Sequence, residues 1–166
     1  MSSEIGCNRI ADKTLASAET EMAVEGLDLD ADGAIQMIIT LVNPTEEVVF
    51  YDIYFNGDRE ASHYWHGYTV VKDGELTAGS VEGSRFAPLE PGESALTTAT
   101  LVRGPDGIVR WDAAISRGAP PDVVMLTSGM VWTVPENVTK VEVVAGVEGG
   151  IGAGSQLILM NTGSMG

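Results

Sequence analysis

Ala34-Ile35-Gln36-Met37-Ile38-Ile39-Thr40-Leu41-Val42 ends at Asn43-Pro44, and Val48-Val49-Phe50-Tyr51-Asp52-Ile53-Tyr54-Phe55 ends at Asn56-Gly57-Asp58. β-Branched and aromatic residues fill both runs, and such side chains suit a pleated, half-buried surface. Asn-Pro and Asn-Gly are strong turn formers, so each run is short and sharply bounded. Neither run shows the i, i+3, i+4 spacing of an amphipathic helix. Two successive strands are therefore expected. The same grammar extends outward. Ser62 to Val71 carries Tyr64, Trp65 and Tyr68 and stops at Lys72-Asp73-Gly74. Ser94 to Arg103, the turn Gly104-Pro105-Asp106-Gly107 and Ile108 to Ser116 form the clearest hairpin. Val123 to Val134, Val138 to Ala145 and Ser155 to Asn161 supply the last strands, with Gly149 to Gly154 expected as a mobile loop before the closing one. The total is about eight or nine strands and no long amphipathic helix, which predicts an all-β, antiparallel two-sheet β-sandwich. A jelly-roll-like closure is the most economical way to pack so many strands.

The amino-terminal stretch reads differently. Ala11 to Met22 is polar, and Ile10, Leu15 and Met22 fit neither a helical nor a strand period. Residues 1–20 are expected as an arm and residues 21–166 as the sandwich domain. Such an arm orders on a neighbour, with Ile5, Ile10 and Leu15 as its apolar anchors.

A chain of 166 residues buries roughly 70% of its unfolded surface and needs neither disulfide nor metal to fold. Nine Lys and Arg stand against 24 Asp and Glu, a formal net charge of -15. This lacks the basic footprint of a nucleic-acid binder and is repelled by anionic membranes. Cys7 is the only cysteine, so no intrachain disulfide forms, which suits assembly in a reducing cell. The opening Met-Ser-Ser-Glu-Ile-Gly has no apolar signal core, and no stretch approaches the ~20 apolar residues of a membrane span. Synthesis in a cytoplasm and release by lysis are the expectation.

Candidate chemistry is sparse. Asp28-Leu29-Asp30-Ala31-Asp32-Gly33 opens like a calcium loop, but its twelfth position is Ile39, where the bidentate Glu belongs. The segment reads as an Asp-Gly turn between strands. His63 and His66 lie three apart on a presumed strand, hence on opposite faces, and no second histidine pair or cysteine completes a zinc site. Cys7 has nothing to hold a base against it, Gly79 to Gly83 lacks the Lys and Ser/Thr of a phosphate loop, and no Gly-x-Ser-x-Gly elbow is present. Asn137-Val138-Thr139 matches a glycosylation acceptor only formally. No catalytic, cofactor-binding or metal residues are assigned, no cofactor is expected, and a non-enzymatic protein-binding role is.

The order of these features resembles a β-sandwich family of tailed-bacteriophage virion proteins, the capsid decoration proteins and head or tail fibres. The residues that carry the resemblance are Asp32-Gly33 before an apolar strand, Phe55-Asn56-Gly57-Asp58 with Tyr64, then Trp132, Asn137-Val138-Thr139, Gly149 to Gly152 and Gly154-Ser155-Gln156-Leu157-Ile158-Leu159. It spans residues 28–160. The strand after Asp32-Gly33 departs from it by opening with Ala34-Ile35 instead of an aromatic. The resemblance implies a capsid decoration (cement) protein on the outside of a phage capsid. Its partners would be the major capsid protein and further copies of itself, as a homotrimer. The alternative it implies is a tail or fibre module for a host-surface glycan or protein, with Tyr51, Tyr54, Tyr64, Trp65 and Tyr68 as an aromatic platform.

Overall fold

The computed structural model of the protein describes residues 8–161. It is an antiparallel two-sheet β-sandwich, as expected, but with twelve strands divided eight and four. An eight-stranded jelly roll divides evenly. The strands are β1 Asn8–Thr14, β2 Glu21–Glu25, β3 Ala34–Val42, β4 Val49–Phe55, β5 Tyr64–Lys72, β6 Glu75–Glu82, β7 Arg85–Leu89, β8 Ser94–Arg103, β9 Val109–Arg117, β10 Val124–Trp132, β11 Lys140–Ala145 and β12 Gln156–Asn161. The large sheet runs β1-β12-β3-β8-β9-β10-β5-β6, and the small sheet β2-β11-β4-β7. One helical turn, α1 (Leu29–Asp32), and one 3₁₀ turn, Ala61–His63, interrupt the strands.

Alternation sets the core. Ile35, Met37, Ile39 and Leu41 of β3 point inward with Leu101 of β8, Trp111 of β9, Trp132 of β10 and Leu157 and Leu159 of β12. They meet Tyr51, Ile53 and Phe55 of β4 and Val141 and Val143 of β11 from the small sheet. Phe55 and Trp132 pack at 5.7 Å between ring centroids, and Tyr64 stacks on Trp132 at 6.4 Å. Such offset pairs add to the burial energy.

Two expectations are corrected. Residues 8–20 are not an arm. β1 is the edge strand of the large sheet, paired antiparallel with β12. Leu15 is buried and its N–H donates to the Ser155 carbonyl, while Glu19 and Ile151 exchange backbone hydrogen bonds. The pattern misleads because an edge strand needs few core contacts, and a register shift between Arg9 and Ala11 breaks the alternation. Ile5 and Cys7 lie outside the described residues. The glycine run 149–154 is likewise packed, not loose. Gly150, Ile151 and Gly152 are buried, Tyr51 Oη donates to the Gly150 carbonyl at 2.6 Å, and a Cβ on Gly150 would stand 2.8 Å from that of Ala145. Glycine is required there by close approach.

The small sheet is half as wide as the large one, so the β5–β6 hairpin overhangs it. β6 is exposed along its length. The chain turns from β5 to β6 through Asp73 and Gly74, both at positive φ, the geometry of a tight two-residue hairpin.

Candidate interaction surface

Of the residues that carried the resemblance, Phe55 to Asp58, Tyr64, Trp132 and Asn137 to Thr139 converge on one end of the sandwich and are spent on holding it together. The Asp58 carboxylate accepts from Trp132 Nε1 and His63 Nδ1, both at 2.8 Å, and from the Glu60 N–H. Burial pushes its pKa up, but these hydrogen bonds outweigh burial and hold it below the ordinary carboxylate value. Tyr64 Oη donates to the Asp58 carbonyl and accepts from the Phe55 N–H. Asn56 Oδ1 accepts from the N–H groups of Thr139 and Lys140, and its Nδ2 donates to the Asn137 carbonyl. Asn137 in turn accepts from the Asp30 N–H and donates to Asp28 Oδ1. At the other end of β3, Ser155 Oγ accepts from the Val42 N–H. The motif is architecture.

The three aspartates of the calcium-like opening diverge. Asp28 caps α1 by accepting from the Ala31 N–H, Asp30 pairs with Arg103 at 2.7 Å, and Asp32 accepts from Asn161 Nδ2. The segment is a helical turn, not the simple Asp-Gly turn expected. His63 sits in the 3₁₀ turn and not on a strand, while His66 is buried on β5. Glu142 is a further buried carboxylate that the sequence did not single out. It lies between Arg59 Nη2 at 2.8 Å and Lys140 Nζ at 2.6 Å. Burial raises its pKa, and the two cations outweigh that and lower it.

The five aromatics do not form a platform. Tyr51 and Tyr64 are fully buried, Tyr54 packs edge-on against Tyr64 at 5.9 Å, and Tyr68 packs against His66. Trp65 alone stands out, 50% exposed, on the outer face of the large sheet.

That outer face is the feature the sequence reading missed. The strand register places its side chains in rows across the sheet. One row is Leu76, Val71, Met125, Ser116, Leu96, Thr40 and Gln156, from β6 to β12. The next is Ala78, Thr69, Thr127, Ala114, Thr98, Ile38 and Ile158. Neither holds a charge. Leu76 is 70% and Met125 62% exposed. In a chain with 24 acidic residues, the strands bring only Asp12, Asp112 and Glu82 to this face. Acidic charge lies elsewhere, on turns and on the small sheet. The legible signal was the outward positions of β8 and β10, which carry Leu96, Thr98, Thr100, Met125 and Thr127 where a solvated strand of an acidic protein carries Glu or Asp.

No protein family, curated protein or solved structure matches the chain.

Proposed function

We propose that this chain is a non-enzymatic structural protein of a tailed-phage particle, a capsid decoration (cement) protein that docks on the shell through the outer face of its large sheet. The observation that carries the reading is the pair of uncharged, partly apolar rows on a protein of net charge -15. Contiguous exposed apolar surface marks an interaction site. Burying what Leu76, Met125, Leu96 and Val71 still expose yields about 1–2 kcal/mol each. Many copies on a lattice convert modest single contacts into strong reinforcement. Asp28, Asp58, Glu142 and His63 support the non-enzymatic part of the reading, since hydrogen bonds that hold turns and strands already occupy them.

Self-association into a homotrimer belongs to the same proposal. β1 and β6 are the two edges of one sheet, and the even number of antiparallel strands makes them run oppositely. β1 carries Arg9, Asp12 and Lys13, one net positive charge, and β6 carries Glu75 and Glu82. Copies can therefore join edge to edge, head to tail, into a closed ring.

The test pairs Thr98→Glu with Thr127→Glu on the outer face. The double variant should melt with the native protein and lose at least about tenfold in occupancy on undecorated capsids, because carboxylates buried in a contact are penalised. Full occupancy by the variant overturns the docking face. Native protein found only at the tail tip replaces the decoration reading with the fibre one.

A further inference from the structure

Between the overhanging β5–β6 hairpin and the edge strand β7 lies a groove of about 350 Å³. Its two walls diverge from the crossover at Gly83 and Ser84, where the chain leaves the large sheet for the small one. The lining is almost wholly apolar and rich in rings: Phe50, Phe86, Tyr68 and His66, with Leu126 and Val81. Tyr68 lies against Gly79, where a Cβ would stand 2.6 Å from the tyrosine hydroxyl, so the ring forms part of the wall.

Two polar side chains lie in this lining with nothing to bond. His66 is 7% exposed and Ser128 1%. Neither ring nitrogen of His66 and not the Ser128 hydroxyl has a hydrogen-bond partner among the described residues. Ser128 faces Tyr68 and His66 faces Met130 across the β5–β10 pair, so the two are diagonal neighbours on the inner face. Burial lowers the His66 pKa, which keeps the imidazole neutral, with one donor and one acceptor. Buried polar groups are normally paired, and unpaired ones are costly. Two such groups side by side in an apolar groove offer an unmet donor and acceptor to a ligand.

We propose that this groove binds an uncharged aromatic group bearing a hydrogen-bonding substituent, a phenol or an indole, with its ring among Phe50, Phe86 and Tyr68 and its O–H or N–H on His66 and Ser128. The apolar walls penalise a buried charge, and Arg85 beside Phe50 is the one charged side chain of the lining. The ring-rich lining favours an aromatic, which packs edge-on or offset against such walls. The volume lies at the lower end of small-ligand pockets. At the rim, Arg85 is held 4.4 Å over the Phe50 ring. The same chemistry arises from a tyrosine or tryptophan of a partner protein or from a free aromatic molecule. The site does not depend on the docking face proposed above.

The test is an NMR titration of the full chain with p-cresol, 3-methylindole and toluene, following the Tyr68 and Phe86 ring protons in every variant and, where His66 is present, its ring protons against those of His63. A saturable His66 shift is expected, with p-cresol and 3-methylindole binding about fivefold or more tighter than toluene, the effect of one added hydrogen bond. His66→Phe and Ser128→Ala should each bring that preference close to parity while melting cooperatively. Should His66→Phe fail to fold, Ser128→Ala, the loss of one oxygen, reads the same quantity alone. N-acetyl-tyrosinamide binding as tightly as p-cresol assigns the site to a partner's side chain, and its failure to bind while p-cresol binds assigns it to a free small molecule. No saturable shift, toluene binding as tightly as p-cresol, or variants that bind p-cresol like the native chain would each overturn the proposal.

Discussion

Asp58, with Asn56 beside it, ties together one end of the sandwich. Its carboxylate serves Trp132 Nε1, His63 and the Glu60 N–H at once. Asp58→Ala should cost about 2–4 kcal/mol by leaving the indole N–H buried and unpaired, and Asp58→Asn less, because the amide oxygen still accepts. Guanidinium denaturation of the three proteins checks the order. The pKa values of Asp58 and Glu142 both lie below their unfolded values of 3.8 and 4.5. Their stabilisation is therefore complete above about pH 5 and lost as pH falls through the folded values. His66 acts in the same direction at higher pH. Its folded pKa lies below 6.5, so the unfolded chain binds the proton first, and stability declines as pH falls below about 6.5. A melting series from pH 7 to 5 should slope in the native protein and flatten in His66→Phe. Asp58 and Tyr64 stood out in the sequence through a turn motif and a nearby tyrosine, but their partners did not. Trp132 is 74 residues away, a distance that only folding closes.

At the scale of elements, long strands with a buried face were legible, and short strands or strands without one were not. β3 and β8 match the expected bounds residue for residue, since each alternates between core and exterior over nine or ten residues. β6 has no buried face and β1 almost none, so neither leaves a hydrophobic period to read. β2 is only five residues long and β7 contains Pro88, both weak signals. Removing residues 1–14 strips β12 of its outer partner and uncovers Leu157 and Leu159. Differential scanning calorimetry should show a fall of about 5–10 °C in Tm, the reverse of what a detachable arm would give. Leu76→Lys on β6 should leave the monomer within about 0.5 kcal/mol of native, because that side chain contributes nothing to the core. A loss of more than 1 kcal/mol, roughly the mean for point substitutions, would show that the hairpin packs on something in the monomer.

Across the whole molecule, charge and shape are segregated. Nine cations against 24 carboxylates leave a repulsive field over turns and the small sheet, while the broad sheet's outer face stays nearly neutral. Raising NaCl from 10 mM to 0.5 M shortens the Debye length from about 30 Å to a few ångströms and should raise Tm by a few degrees. A fall in Tm would mean that the ion pairs of Arg59, Arg103 and Arg117 outweigh the repulsion. The same segregation makes the neutral face the place where another protein approaches at least cost.

Strand propensity, turn chemistry and alternation are local properties, so the sequence by itself determined an antiparallel β-sandwich and most of its buried strands. Net charge is additive over residues, so it too was fixed without coordinates. Which strand neighbours which is decided by pairings such as β12 between β1 and β3, over a hundred residues apart in the chain, and only the tertiary structure decided that. The uncharged rows exist only when β6, β5, β10, β9, β8, β3 and β12 lie side by side. The groove at His66 exists only because a four-stranded sheet cannot cover an eight-stranded one.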